Sequence, residues 1–187
     1  AGIALYLLFA DGEKGAEVYS AAGDRQQAGI VFDIAKSMAL NDPAIKNNCK
    51  LFKSSIVHEK SNSFYKAISA EASTAHGFNA SAIIFDELHV QPNRDLWDTL
   101  TTSTGARKQP LTIAITTAGY DKNSICWEVH EYAMKVESGA IQDETFLSCV
   151  YAALPDDDFM SPETWAKANP GYGTIVKKEY LEKESKK

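Results

Sequence analysis

Two adjacent acidic residues, Asp86 and Glu87, follow directly after the short apolar run AIIF at residues 82–85. Successive side chains leave a strand in opposite directions, so two neighbouring carboxylates at a strand end can serve two tasks. One can hold a hydrated Mg²⁺, which needs only one or two carboxylates beside water and phosphate oxygens. The other can polarise a water molecule towards a phosphoryl group. This is the Walker B pattern, with Asp86 expected to bind the metal and Glu87 to act as the base. A pair of acids that merely opens a turn is the structural alternative.

A second polar group follows another apolar run, in the segment LTIAITTAG at residues 111–119. The run predicts a buried strand rich in β-branched residues, and Thr116 and Thr117 at its end are suited to binding the reacting water or sensing a γ-phosphate. Threonine is also an ordinary strand residue, and glycine ordinarily ends a strand. Arg107 stands just before this strand, where its guanidinium would suit a phosphate, although a solvated surface arginine is the more common case. The two polar groups together are a stronger signal than either alone.

The elements that must position these residues alternate between strands and helices. Short apolar runs predict strands at residues 17–21, 54–57, 65–69, 82–85, 111–117 and 145–151. Helical spacing of apolar residues, with capping and stop residues, predicts helices at residues 24–41, 92–103, 124–139, 161–169 and 177–186. This order predicts an α/β fold with a mostly parallel sheet flanked by helices. Ligands bind such sheets at the carboxyl ends of the strands, just after residues 85 and 115.

The composition excludes several classes of protein. With 187 residues, 44% hydrophobic and 24% charged, the chain is neither disordered nor collagen-like nor a coiled coil. The formal net charge of −6 excludes a wholly basic surface that would coat nucleic acid. The three cysteines are far apart and form no C-x-x-C pair, which argues against a disulfide scaffold and a cysteine zinc site and fits a reducing compartment.

The apolar opening AGIALYLLFA has no basic region before it and is too short to span a membrane. We interpret it as the end of a buried helix that begins outside residues 1–187. The phosphate-cradling sequence G-x-x-x-x-G-K-[ST] does not occur in the chain. Gly12-Glu13-Lys14-Gly15 has the wrong order and precedes a predicted strand, whereas such a loop follows one.

Four segments carry a resemblance to a known family. SAAGDRQQA (20–28), HGFNASAIIFDELH (76–89), ARKQPLTIAITTAGYD (106–121) and WAKANPGYG (165–173) resemble, in the same order, parts of the large subunit of tailed-phage terminases, the motor that packages viral DNA. The resemblance implies an additional-strand, catalytic-glutamate P-loop NTPase fold that uses ATP and Mg²⁺. It implies that Asp86 is the Mg²⁺-coordinating acid, that Glu87 is the catalytic glutamate, and that Thr116 and Thr117 couple hydrolysis to motion.

The resemblance also sets expectations for the whole protein. Residues 1–154 are expected to form an ATPase core without its first strand and P-loop, and residues 155–187 a helical segment leading towards a nuclease domain outside this chain. Such a fragment is expected to be inactive alone. The implied partners are double-stranded viral DNA, a portal protein and a terminase small subunit. The resemblance also implies that the full motor is a homo-oligomeric ring, located in the host cytoplasm and not bound to a membrane. Arg25, Arg94 and Arg107 are candidates for the arginine that ring motors supply to a neighbouring subunit, as is a basic residue around His76-Gly77.

Two alternatives stay open at this point. Asp86-Glu87-Leu88-His89 also fits the box of a DExH-type helicase or translocase. A helicase would normally carry Ser-Ala-Thr after the next strand, whereas Thr116-Thr117-Ala118-Gly119 stands there. A non-catalytic structural or assembly domain is the other alternative, and the missing phosphate loop favours it.

Overall fold

The computed structural model describes residues 1–70 and 77–186. The chain forms two compact units, Ala1–Glu131 and Tyr132–Lys187. The strands of the described residues all lie in the first unit and are β1 (Glu17–Ala22), β2 (Lys50–Leu51), β3 (Ser55–His58), β4 (Ser63–Ser69), β5 (Ala82–Asp86) and β6 (Leu111–Ile115). The helices are α1 (Gly2–Phe9), α2 (Arg25–Asn41), α3 (Pro43–Lys46), α4 (Asp95–Thr102), α5 (Ile125–Glu137), α6 (Pro162–Ala168) and α7 (Lys178–Glu184).

The strands form one sheet in the order β2-β3-β4-β1-β5-β6. Strands β4, β1, β5 and β6 run parallel to one another, and β2 and β3 extend the sheet in antiparallel fashion beyond β4. Since these four strands are parallel, their carboxyl ends meet at one edge of the sheet. The predicted α/β class with a mostly parallel sheet is confirmed.

The core lies on both faces of β1 and β5, because their side chains alternate between two apolar clusters. One cluster packs beneath α1 and α2 and includes Leu5, Leu8, Val18, Phe32, Ile56 and Tyr65. The other packs beneath α4 and the start of α5 and includes Tyr19, Ile83, Phe85, Leu96, Leu100 and Ile125. Burial on both faces explains why β5 is a continuous apolar run and not an alternating one.

Two helix predictions are confirmed with clear local causes. Helix α2 begins where the Asp24 carboxylate accepts a 2.9 Å hydrogen bond from the Gln27 N–H, and it ends just before Pro43. The apolar opening forms α1, in which Ala4, Leu5, Leu7 and Leu8 are buried.

The strand predicted at residues 111–117 is shorter and more exposed than expected. Strand β6 ends at Ile115, and Leu111 and Ile115 are 42% and 55% exposed. The reason is that β6 pairs only with β5 among the described residues, so its outer edge and much of its surface stay open.

The prediction of a strand at residues 145–151 is wrong, because no strand forms there. The Asp143 carboxylate instead accepts hydrogen bonds from the Thr145 N–H and hydroxyl, at 2.9 and 2.6 Å, and from the Tyr132 hydroxyl at 2.7 Å. The Thr145 hydroxyl bond, followed by the Tyr132 bond, lowers the pKa of Asp143. Leu147 is 93% exposed, so the apolar residues of this segment have no sheet to pack on.

Within residues 1–70 and 77–186, no helix is long and apolar enough to cross a membrane.

Candidate functional site at the carboxyl edge of the sheet

The register of β5 and β6 brings the two predicted polar groups together. Asp86, the last residue of β5, is paired with Ile115, the last residue of β6. Glu87 and Thr116 therefore leave the sheet side by side. The Thr117 hydroxyl lies 3.4 Å from Glu87 Oε2, across 30 positions of sequence.

Glu87 turns the chain sharply out of the sheet. Its backbone is in the left-handed region, with φ 51° and ψ 57°, which a non-glycine residue adopts rarely and at a cost in energy. A short 3₁₀ turn at Leu88–Val90 follows, anchored by the buried side chain of Leu88. The turn leaves the Glu87 side chain 34% exposed at the sheet edge.

His89 is a site residue that our sequence analysis did not single out. Its Nδ1 lies 3.1 Å from Glu87 Oε2 and 3.0 Å from Thr116 Oγ1. The backbone N–H of His89 also donates to Thr116 Oγ1, at 3.1 Å. The only sequence signal was its place in Asp-Glu-Leu-His. We considered this motif as a helicase box and did not consider His89 as a contact of Glu87.

Two glycines let neighbouring loops approach this turn closely. A Cβ on Gly23, at the end of β1, would lie 2.6 Å from the carbonyl oxygen of Val90. A Cβ on Gly119 would lie 3.0 Å from the Cβ of His89. The loop after β1 and the segment after β6 thus both pack directly against the turn that carries Glu87 and His89.

Asp86 is suited to a hydrated metal ion. Its side chain is half-buried at the strand end and has no hydrogen-bond or ion-pair partner among the described residues, so its carboxylate is available. One free carboxylate is the donor set that Mg²⁺ uses when phosphate oxygens and water complete its coordination. Residues 1–70 and 77–186 contain no cluster of three His, Cys, Asp or Glu side chains that could hold a metal ion by themselves.

Arg107 lies at the opposite, amino end of the strands. Its Nη1 lies 3.1 Å from Glu13 Oε1, its Nη2 donates to the Gly15 carbonyl at 2.9 Å, and its Nε donates to the Asn79 carbonyl at 2.8 Å. The side chain is only 7% exposed. The structure therefore does not bring Arg107 together with Asp86 and Glu87, and its placement gives no support to a phosphate contact.

The other candidate arginines differ in their surroundings. Arg94 is bound to Asp98 at 2.7 Å and to Glu128 at 3.2 Å. Arg25 is exposed at the start of α2, directly after β1, and has no side-chain partner among the described residues. His76 lies outside the described residues.

Comparison with known proteins identifies the family. Residues 1–135 match the sequence model of the terminase large subunit, ATPase domain. The terminase large subunit of Enterobacteria phage HK97 is 30% identical over 193 residues, which cover 100% of this chain and 37% of that protein. Protein YmfN of Escherichia coli K12 is 32% identical over 105 residues, covering 56% of this chain and 23% of its own length.

Solved structures agree with this match. The crystal structure of the HK97 bacteriophage large terminase has a TM-score of 0.85 at 29% identity, covering 99% of this chain and 39% of that one. The ATPase domain of the Thermus phage P74-26 large terminase has a TM-score of 0.53 at 17% identity, covering 70% of this chain and 57% of that one, and shows the fold alone. The present chain spans less than two thirds of each of these relatives.

These matches do not favour the helicase fragment or the purely structural domain. The chain belongs to the family of the terminase large subunit, ATPase domain.

Proposed function

We propose that this chain is the ATP-hydrolysing part of a viral DNA-packaging motor, which couples hydrolysis to translocation of double-stranded DNA. The observation that carries the proposal is the arrangement of Asp86, Glu87 and Thr117 at one sheet edge in a chain of this family. A carboxylate free to bind Mg²⁺, a second carboxylate beside it and neighbouring hydroxyls are among the groups that support phosphoryl transfer to water.

In this proposal Glu87 polarises the attacking water. One carboxylate oxygen, Oε2, lies 3.1 Å from His89 Nδ1 and 3.4 Å from the Thr117 hydroxyl, whereas no described residue forms a hydrogen bond or an ion pair with Oε1. A carboxylate fixed through one oxygen keeps the other free to accept a proton from water. Glu87 therefore combines a fixed orientation with a free basic atom.

Asp86 would hold Mg²⁺ through its unpaired carboxylate, with water between them. When bound, the ion supplies charge that neutralises the phosphate oxygens. Thr116 and Thr117 would respond to the γ-phosphate and transmit its loss, since Thr117 contacts Glu87 and Thr116 contacts His89. Arg25, exposed and unpaired at the same edge, is better placed to meet a phosphate than Arg94 or Arg107.

We further propose that hydrolysis needs a phosphate loop from outside residues 1–187, because these residues contain no G-x-x-x-x-G-K-[ST] sequence. The free edge of β6, with Leu111 and Ile115 exposed, is the place where a further strand could complete the sheet. Residues 1–154 would then be most of the ATPase core, and residues 155–187 would lead towards a nuclease domain. The proposed partners are viral DNA, a portal protein, a small subunit and further copies in a ring, in the host cytoplasm.

The experiment compares residues 1–187 alone with the same residues preceded by a phosphate-loop segment. We expect negligible ATP turnover from the first chain and Mg²⁺-dependent turnover from the second. Asp86→Asn should abolish this Mg²⁺-dependent turnover. Turnover by residues 1–187 alone that is lost in Glu87→Gln would contradict the need for a phosphate loop.

A further inference from the structure

His89 lies between Glu87 and the segment Thr116–Gly119, which we name the coupling segment. We propose that His89 is a positioning residue, through which the coupling segment sets the orientation of the Glu87 carboxylate. The inference rests on the proposed function, because it requires Glu87 to be the residue that polarises water. It adds that the imidazole ring of His89 links hydrolysis at Glu87 to movement of the coupling segment.

The Thr116 hydroxyl forms hydrogen bonds with both Thr117 and His89. A threonine hydroxyl has one hydrogen and two acceptor sites. Thr116 Oγ1 donates its hydrogen to the Thr117 carbonyl, at 2.9 Å. It accepts from the His89 N–H, at 3.1 Å, and is also hydrogen-bonded to His89 Nδ1, at 3.0 Å.

A carboxylate oxygen only accepts hydrogen bonds, so the approach of Glu87 Oε2 to His89 Nδ1 favours the form of the ring that carries a hydrogen on Nδ1. Glu87 Oε2 lies 3.1 Å from the same nitrogen as an ion-pair contact, and Thr116 Oγ1 lies 3.0 Å from it as a hydrogen bond. Through these two contacts, His89 Nδ1 ties the position of the carboxylate to the position of Thr116.

A second contact joins the same two parts of the chain without hydrogen bonds. Gly119, at the other end of the coupling segment, lies so close to His89 that an added Cβ would come within 3.0 Å of the His89 Cβ. The segment thus holds the histidine at two points, Thr116 and Gly119. A shift of the segment must move the ring, and the ring then moves the Glu87 carboxylate.

The consequence for catalysis follows from geometry. A carboxylate that polarises water must point at it within hydrogen-bond distance, and a displacement of 1 Å can cost about 100-fold in rate. Loss of His89 should therefore lower the rate of the chemical step and leave ATP binding almost unchanged. Such a split between kcat and KM marks a group that acts in the transition state and not in substrate binding.

The decisive experiment measures ATP turnover in the chain that carries a phosphate loop ahead of Ala1. His89→Ala should lower kcat by about tenfold or more, with KM for ATP within about twofold of the parent. His89→Asn should recover most of the loss, since its amide N–H can occupy the place of Nδ1–H. Gly119→Ala should also lower kcat, whereas Gly105→Ala, where an added Cβ meets nothing within 4 Å, should not.

A kcat for His89→Ala within about twofold of the parent would overturn the proposal, as would an Asn variant as impaired as the Ala variant. Glu87→Gln, measured alongside, separates the two levels of inference. If that variant keeps full turnover, the proposed function fails; if it is inactive while His89→Ala is fully active, only the role of His89 fails.

A second measurement uses the 187-residue chain as it is and needs no activity. The ¹⁵N resonance of His89 Nδ1 should shift in Thr116→Val, which removes the hydroxyl bonded to it, and in Glu87→Gln, which removes the negative charge beside it. Gly105→Ala should leave the resonance in place. A resonance that stays in place in both Thr116→Val and Glu87→Gln would overturn the proposal, even if poor folding affected the turnover assay.

Discussion

The guanidinium of Arg107 forms a largely buried ion pair with Glu13, at 3.1 Å, across 94 positions of sequence. Arg107 also binds two backbone carbonyls, those of Gly15 and Asn79. The pair therefore fastens the chain before β1 to the loops before β5 and β6. It is a structural tie at the amino ends of the strands, far from the proposed chemistry.

Arg107→Ala should destabilise the fold strongly. The change leaves the Glu13 carboxylate, only 17% exposed, and two carbonyls without their donor. Breaking a buried pair from one side typically costs about 3 kcal/mol in the free energy of unfolding, which urea denaturation would measure. Arg107→Lys, which keeps the charge but not the fork of donors, should lose less. An unchanged unfolding midpoint for Arg107→Ala, with a raised KM for ATP, would instead favour the phosphate contact.

Gly23→Ala should disturb the turn that carries Glu87. Its new Cβ would lie 2.6 Å from the Val90 carbonyl oxygen, a backbone atom that cannot rotate away. Overpacking of this kind costs about 1–3 kcal/mol. Gly29→Ala is the matched control, because its Cβ meets nothing within 4 Å and alanine favours helix α2 by about 1 kcal/mol. Equal stability of the two variants in urea would contradict the close approach.

The stability of the fold should fall at alkaline pH because of Tyr65. Its side chain is fully buried beside Phe32, and burial raises its pKa from 10.0 to about 12. The folded state therefore holds the proton more tightly than the unfolded state. The resulting stability is complete below pH 10 and is lost as the pH rises towards 12, by about 2–3 kcal/mol at most.

Tyr65→Phe keeps the packed ring and removes the titrating hydroxyl. The free energy of unfolding of this variant should fall less steeply between pH 10 and 12 than that of the parent. Some dependence should remain, since burial also raises the pKa of Tyr19 well above its usual range. Identical slopes for parent and variant, measured by denaturation at several pH values, would show that Tyr65 does not contribute.

Local patterns predicted the elements whose partners lie within the described chain. β1 and β5 follow from apolar runs, since strands buried on both faces are apolar throughout, and α2 follows from its cap at Asp24 and its stop at Pro43. The exposure of β6 and the missing strand at residues 145–151 depend on which neighbours a segment finds, which periodicity does not encode. Both segments are apolar enough for a strand, yet only one has a strand to pair with.

The candidate site was predictable in part for the same reason. The order of residues around Asp86 and Thr116 indicated two polar groups at strand ends, and a parallel register brought them together. Arg107 was a weaker candidate by sequence, and its position four residues before β6 places it at the amino end of the strands, away from Asp86 and Glu87. His89 was missed because its proposed role depends on contacts with Thr116 and Gly119, which lie far along the chain and which no local pattern reveals.

The role of Glu87 is the central claim, and one measurement tests it most directly. In the chain with a phosphate loop ahead of Ala1, Glu87→Gln should bind ATP and Mg²⁺ as the parent does. It should also lower turnover by about 100-fold or more, because the amide cannot accept the proton of the attacking water. Turnover within a few-fold of the parent, with ATP binding intact, would contradict the assignment of Glu87 as the residue that polarises water.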